Sequence, residues 1–134
     1  MAKINSQAKG KRAEREVAKL INKYLGTNVR RTPQSGGLSI KGDIIDIDPN
    51  SAAFYYHFDV KDQKKLMIPK WWEQIEADCP PGKTPINVFK MNGQFYATLE
   101  FKDWLDLLVQ INELEEARTG LEEEVEDLTH KLSQ

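Results

Sequence analysis

From residue 104 onward the chain repeats every seven residues. Trp104, Leu107, Ile111, Leu114, Arg118, Leu121, Val125, Leu128 and Leu132 follow spacings that alternate between three and four. Only a helix gathers such positions into one stripe, and a stripe held this long outruns what a small domain needs to cover. Trp104, Ile111, Arg118, Val125 and Leu132 take the a positions, and every d position from Leu107 to Leu128 is Leu. β-branched residues at a with Leu at d favour two parallel strands, while Arg118 interrupts the seam and can fix register or oligomer state. Glu115, Glu122 and Glu124 stand at e and g without obvious basic partners, which leaves strand orientation and dimer versus tetramer open. The alternative is a helix laid against its own domain. The length of the repeat favours a homo-oligomer, a dimer first, formed through this helix.

The repeat splits the 134 residues into a body, 1–101, and a helix, 102–134. Charge splits at nearly the same place. Residues 1–100 hold sixteen Lys/Arg against eleven Asp/Glu, and residues 101–134 hold three against ten. The first thirty-one residues alone carry nine basic and two acidic side chains. A basic body with an acidic tail suits a polyanion-binding domain attached to a separate interaction element; two solvated faces would look the same. One cysteine, Cys79, makes no internal disulfide, and no apolar run reaches the roughly 20 residues that span a bilayer. The N-terminus is basic and amphipathic, without a signal-peptide apolar region. These features predict a cytoplasmic, intracellular protein with no membrane partner.

Within the body, Ala13, Val17, Leu20, Ile21 and Tyr24 share one helical face, predicting a helix over 6–24 that stops at Gly26. Residues 27–32 read as a strand, 33–41 as a Gly/Ser/Pro loop, 43–48 (DIIDID) as an alternating strand, and 53–61 (AFYYHFDVK) as the next strand. Pro69 opens a helix carrying Trp71, Trp72 and Ile75 to Asp78. INVFKM and QFYATL flank Asn92-Gly93, a strong hairpin signal. The order αβββαββ, then the long helix, predicts an α/β or α+β domain around a five-stranded sheet.

Asp43, Asp59 and Lys61 are the candidate chemistry. Asp59 and Lys61, two apart in a strand, project to one side, and pairing of the two strands through the Pro49 turn brings Asp43 close to them. Two carboxylates and the carbonyl of Val60 are hard oxygen ligands suited to Mg²⁺, with Mn²⁺ expected to substitute. Such an ion polarises a phosphoryl oxygen and acidifies a bound water, and Lys61 can position that water and offset charge on the phosphate. Each residue alone also has a bland reading: Asp43 a strand-end residue, Asp59 and Lys61 a surface ion pair. Asp46 and Asp48 offer a second metal site or simply a polar strand face. Arg15, Arg30, Arg31, Lys64, Lys65 and Lys70 are candidate phosphate contacts, or solvated charges. Of the adjacent Trp71 and Trp72, at most one faces the core. His57, Cys79 and His130 show no arrangement for nucleophile or zinc chemistry.

In order along the chain, KGKRAEREVAKL from Lys9, VRRTPQSGG (29–37), GDII (42–45) and FDVKDQKK (58–65) resemble the PD-(D/E)XK nucleases, and within them the archaeal-type Holliday junction resolvases. The similarity continues through WWEQIEAD, the hairpin and EFKDWLDLL, covering about 9–108. It implies a restriction-endonuclease-like core with a central mixed sheet flanked by helices. It also implies Asp43, Asp59 and Lys61 as catalytic residues and Glu14 as a third carboxylate, on the metal directly or through water. Arg15, Arg31 and Ser35 match further motif positions. Asp stands at 59 where the resolvases carry Glu, the interval from Asp43 is longer than in several members, and the heptad tail lies outside the similarity. The combination of a compact body and a tail is similar to phage products.

Three functions follow as expectations. The first is a Mg²⁺-dependent endodeoxyribonuclease selective for branched DNA, for which a two-fold dimer supplies two paired cuts. The second is a nicking or trimming nuclease with the same site. The third is a non-catalytic DNA-binding module whose coiled coil does the assembling.

Overall fold

The first helix, α1, spans Ser6–Leu25 in the computed structural model, which describes residues 6–32 and 42–134. Its apolar stripe buries Ala13, Val17 and Ala18, and Glu14 is buried beside them at 7% exposure. Gly26, at φ 64°, closes the helix by donating its N–H to the Asn22 carbonyl at 2.8 Å, the left-handed stop expected of glycine. The Asn22 side chain then receives the returning chain. Its Oδ1 accepts from the Val29 N–H at 2.8 Å and its Nδ2 donates to the Val29 carbonyl at 2.9 Å.

Five strands form one sheet in the order of the sequence: β1 (Arg30–Arg31), β2 (Ile44–Ile45), β3 (Tyr56–Lys61), β4 (Thr84–Met91) and β5 (Gln94–Thr98). All neighbours are antiparallel except β3 and β4, which run parallel and are joined through α2 (Ile68–Asp78). A parallel pair needs a crossover of this kind, and Pro69 starts its helix without a lost hydrogen bond. The β4–β5 turn is Asn92-Gly93, with φ 52° and 77°, so that both central residues are left-handed as a tight hairpin requires. The sheet is five-stranded, as the element order predicts, and mixed, as the resemblance implies.

Two expected strands are shorter than the sequence suggests. Residues 27–32 and 43–48 contribute only the two-residue strands β1 and β2. After Ile45 the backbone leaves the ladder because aspartate side chains capture it: Asp46 Oδ1 accepts from the Asp48 N–H and Asp48 Oδ1 from the Asn50 N–H, both at 3.0 Å. The aromatic stretch at 53–55 also departs from the expected strand. Ala52–Tyr55 is a 3₁₀ turn, capped by Ser51 Oγ, which accepts from the Ala53 N–H.

Alternation along β3 and β4 sorts the core. Phe58, Val60 and Val88 join Ala13, Val17 and Ala18 of α1 in one cluster with Val29, Ile44 and Ala53. Phe89, on the opposite pleat from Val88, packs its ring 6.2 Å from Trp71 of α2 and 5.8 Å from Tyr96 of β5. Helices thus flank the sheet. Trp71 is the buried tryptophan and Trp72 is half-exposed.

The chain divides into two units, the first ending at Leu99 and the second covering Glu100–Gln134. The second is α3 (Phe101–Leu132), a 32-residue helix without a buried residue. Trp104, Ile111, Leu114, Leu121, Val125, Leu128 and Leu132 of the heptad stripe are exposed along it. Arg118 pairs within the helix, with Glu115 one turn before and Glu122 one turn after. Among the described residues no helix is long and apolar enough to cross a membrane.

Candidate active site

The short β2 strand matters for what it aligns. Its register with β3 pairs Ile44 with Phe58, which in an antiparallel ladder sets Asp43 across from Asp59. Gly42 makes the approach feasible. It sits at φ 98°, and a Cβ there would lie 3.1 Å from His57 Nδ1 and 3.3 Å from the Phe58 carbonyl. Asp43 is then held on three sides. Its N–H donates to the Phe58 carbonyl at 2.8 Å, its carbonyl accepts from the Thr32 N–H at 2.9 Å, and its Oδ2 accepts from the Val60 N–H at 2.7 Å.

Asp59 and Lys61 share a face of β3, and Lys61 Nζ lies 3.6 Å from Asp59 Oδ1. On the other side, Asn87 of β4 pairs in register with Asp59, and its Nδ2 donates to Asp59 Oδ2 at 3.0 Å. Asn87 is 1% exposed, and its Oδ1 has no hydrogen-bond partner among the described residues. Asp43, Asp59 and Asn87 therefore form one polar row across three neighbouring strands. The sequence reading did not single out Asn87. The signal was there: one amide inside the apolar run INVFKM, between Ile86 and Val88, where a polar group costs free energy unless it is hydrogen-bonded.

Glu14 comes to this region from α1 and Arg31 from β1, and Arg31 Nε donates to Glu14 Oε2 at 2.6 Å. The pairing holds a carboxylate at the buried surface of α1. Burial pushes the Asp43 carboxyl up from 3.8 to about 7, and the charges of Asp59 and Glu14 add to the rise, while the Val60 N–H and the Lys61 ammonium act against it. A carboxylate held up in this way gains from a cation beside it.

The donor set can be tested against a divalent ion. Among the described residues no three Asp, Glu, His or Cys side chains converge closely enough to enclose one. Asp43 and Asp59 are two carboxylates, and one or two carboxylates with several waters are what Mg²⁺ usually takes. The residues fit a water-completed ion on Asp43 and Asp59, with Glu14 committed to Arg31.

The expected phosphate contacts are spread around the first unit. Arg15, Arg30, Lys64, Lys65 and Lys70 are exposed, and Arg31 is half-buried on Glu14. Ser35 lies outside the described residues. His57 is buried behind Gly42, and Cys79 donates its thiol to the Lys83 carbonyl at 3.3 Å.

A mixed sheet flanked by helices, with Asp-x-Lys on its parallel strand and an aspartate aligned from the neighbouring strand, defines the PD-(D/E)XK class and its restriction-endonuclease-like fold. Nucleases of this class usually use divalent metals and act on DNA. The model of the family described as "Phage putative PDDEXK endonuclease" matches residues 5–128, and the chain belongs to that family. The match runs through most of α3, beyond the residues that the resolvase similarity covers. No curated protein and no solved structure matches the chain.

Proposed function

We propose that the protein is a Mg²⁺-dependent endodeoxyribonuclease that hydrolyses phosphodiester bonds in branched or duplex DNA, during recombination, repair or phage DNA processing in the host cytoplasm. The observation that carries the reading is the alignment of Asp43 with Asp59, beside Lys61, at one place on the sheet. Asp43 and Asp59, with the Val60 carbonyl, are the residues that would hold the ion, and Glu14 would reach it through water. A bound divalent ion supplies charge neutralisation for the phosphate and a more acidic water, and Mn²⁺ has the chemistry to substitute.

The protein's own groups supply the rest. The Val60 N–H fixes one oxygen of Asp43, and Asn87 fixes one oxygen of Asp59, so each presents its other oxygen without searching rotamers. Lys61, 3.6 Å from Asp59, orients the attacking water and offsets negative charge that builds on the phosphate. The apolar seam of α3 joins two copies, and a two-fold pair carries two such sites, which suits the paired cuts of a four-way junction.

The test is cleavage of a four-way junction, linear duplex and single strand with and without Mg²⁺, alongside Asp59→Ala and Lys61→Ala. Both variants are expected to fold, to keep DNA binding and to lose cutting. Either variant cutting at the wild-type rate overturns the site assignment. Binding without any metal-dependent turnover in the wild type supports an assembly module instead, and equal cutting of junction and duplex supports a general nicking enzyme.

A further inference from the structure

A groove of about 870 Å³ opens beside the catalytic strand, bounded by α1, by the segment after β3 and by the β4–β5 hairpin. It contains none of Glu14, Asp43, Asp59 or Lys61, but it begins at Asp62, the residue after Lys61. Of the phosphate contacts expected from sequence, only Lys64 lines it.

Its charge is basic and unevenly committed. Lys9, Arg12, Lys64 and Lys90 line it against Glu16 and Asp62. Both acids are occupied: Asp62 Oδ1 lies 3.5 Å from Lys9 Nζ, and Glu16 Oε2 lies 3.1 Å from Lys90 Nζ. These pairs tie α1 to the segment after β3 and to β4, which holds the walls in place. Arg12 and Lys64 are exposed, and neither has a carboxylate within ion-pair distance among the described residues. Two uncompensated cations on a groove with fixed walls make a site for a chain of phosphates, and the walls concentrate their field.

We propose that this groove holds the sugar–phosphate backbone of a DNA strand next to the cut, with Arg12 and Lys64 as its phosphate contacts. The assignment rests on the nuclease reading for the identity of the polyanion. It moves the main backbone contacts away from Arg30, Arg31 and Lys70 and onto the outer face of α1 and the segment after β3. Because Asp62 follows Lys61 directly and Lys64 comes two residues later, a strand seated there passes the Asp59–Lys61 strand end.

The experiment is equilibrium binding of labelled single-stranded and duplex oligonucleotides in EDTA, where cutting plays no part, over a range of salt. The full chain is compared with Arg12→Ala/Lys64→Ala and with Arg30→Ala/Lys70→Ala. All four side chains are exposed, so each variant is expected to fold, which circular dichroism is used to check. Loss of two phosphate contacts lowers the slope of log affinity against log salt by about 1.8 on duplex and about 1.4 on single strands, and weakens binding on the order of ten- to a hundredfold near 0.1 M salt. The groove variant is expected to show this and the control variant to stay within about threefold of wild type. Unchanged affinity and slope for Arg12→Ala/Lys64→Ala, an equal loss in both variants, or no DNA binding by the wild type overturns the proposal. Wild type that binds through the groove but never cuts with Mg²⁺ overturns the nuclease reading and leaves the groove standing. Wild type that cuts, with groove-variant binding unaltered, does the reverse.

Discussion

The Val60 N–H donates to Asp43 Oδ2 at 2.7 Å, so a backbone group two residues from Phe58 on β3 holds a side chain that enters from the neighbouring strand. The bond fixes one Asp43 oxygen, yet burial and the nearby Asp59 and Glu14 charges still dominate and raise the carboxyl to about 7. In metal-free protein, the folded chain thus keeps a proton that the unfolded chain has released at pH values between 3.8 and about 7. The stabilisation from this group is full below 3.8 and is lost as pH rises through about 7.

Metal binding requires the deprotonated carboxylate, and so it must displace that proton. Calorimetric titration of Mg²⁺ or Mn²⁺ in buffers of different ionisation enthalpy is expected to show proton release below about pH 7 and little above it. Asp43→Asn should remove both the proton release and most of the affinity. Proton release that persists in Asp43→Asn would place the titrating group elsewhere.

Asn87 offers a second measurement. Its amide is buried and donates to Asp59, so Asn87→Ala leaves a half-buried carboxylate oxygen without its donor. Urea unfolding is expected to show a loss of about 1–3 kcal/mol, and cutting should fall with it because Asp59 loses its fixed orientation. Asn87→Asp keeps the size but sets two carboxylates against each other. It is expected to cost more than Asn87→Ala at neutral pH and to recover in acid, as protonation removes the repulsion. Equal unfolding midpoints for Asn87→Asp across that range would refute the contact's importance.

The sequence made legible what rests on periodicity and turn chemistry. The helix α1 itself, the Asn92-Gly93 hairpin and the Pro69 helix start match the structure, because each is set within a few residues. Of the predicted α1 stripe, Ala13 and Val17 are buried and Ile21 packs against them, whereas Leu20 and Tyr24 are exposed. Alignment of Asp43 with Asp59 was legible only as a conditional, since it depends on strand pairing. Strand lengths at β1 and β2 were overread: Ile44, Ile45 and Ile47 favour extension, but the Asp46 and Asp48 side chains compete for the backbone and prevail. Arg31 and Glu14 each stand out in the sequence only singly. Nothing within the chain's local pattern links residues seventeen apart, so their pairing appeared only in three dimensions.

Ile44 is 2% exposed and supplies half of a two-residue strand. Ile44→Val should cost about 0.5–1.5 kcal/mol and Ile44→Ala about 2–5 kcal/mol in chemical denaturation. The neighbouring Asp43 depends on this strand's register with Phe58. Ile44→Ala is therefore expected to reduce metal affinity even at temperatures where the domain remains folded, whereas a core change on α2 such as Ile75→Val should lower stability alone. Metal affinity unchanged in folded Ile44→Ala would show that Asp43 is held by its hydrogen bonds without the strand.

The exposed seam of α3 gives the last prediction. Leu114 and Leu121 occupy neighbouring d positions, are 70% and 62% exposed, and flank Arg118. If two copies close over this seam, a lysine at either position puts an ammonium into the interface, and sedimentation equilibrium should report monomer for Leu114→Lys and Leu121→Lys. Arg118 already pairs with Glu115 and Glu122 on its own helix, so it can sit at the seam with its charge partly met. Arg118→Ile should then tighten self-association, since a charge at an a position costs stability while setting register. The monomeric variants keep an intact Asp43–Asp59–Lys61 site, so they should still nick duplex DNA while losing coordinated paired cuts on a junction. Wild-type protein that sediments as a monomer across micromolar concentrations would remove the seam as an interface between copies.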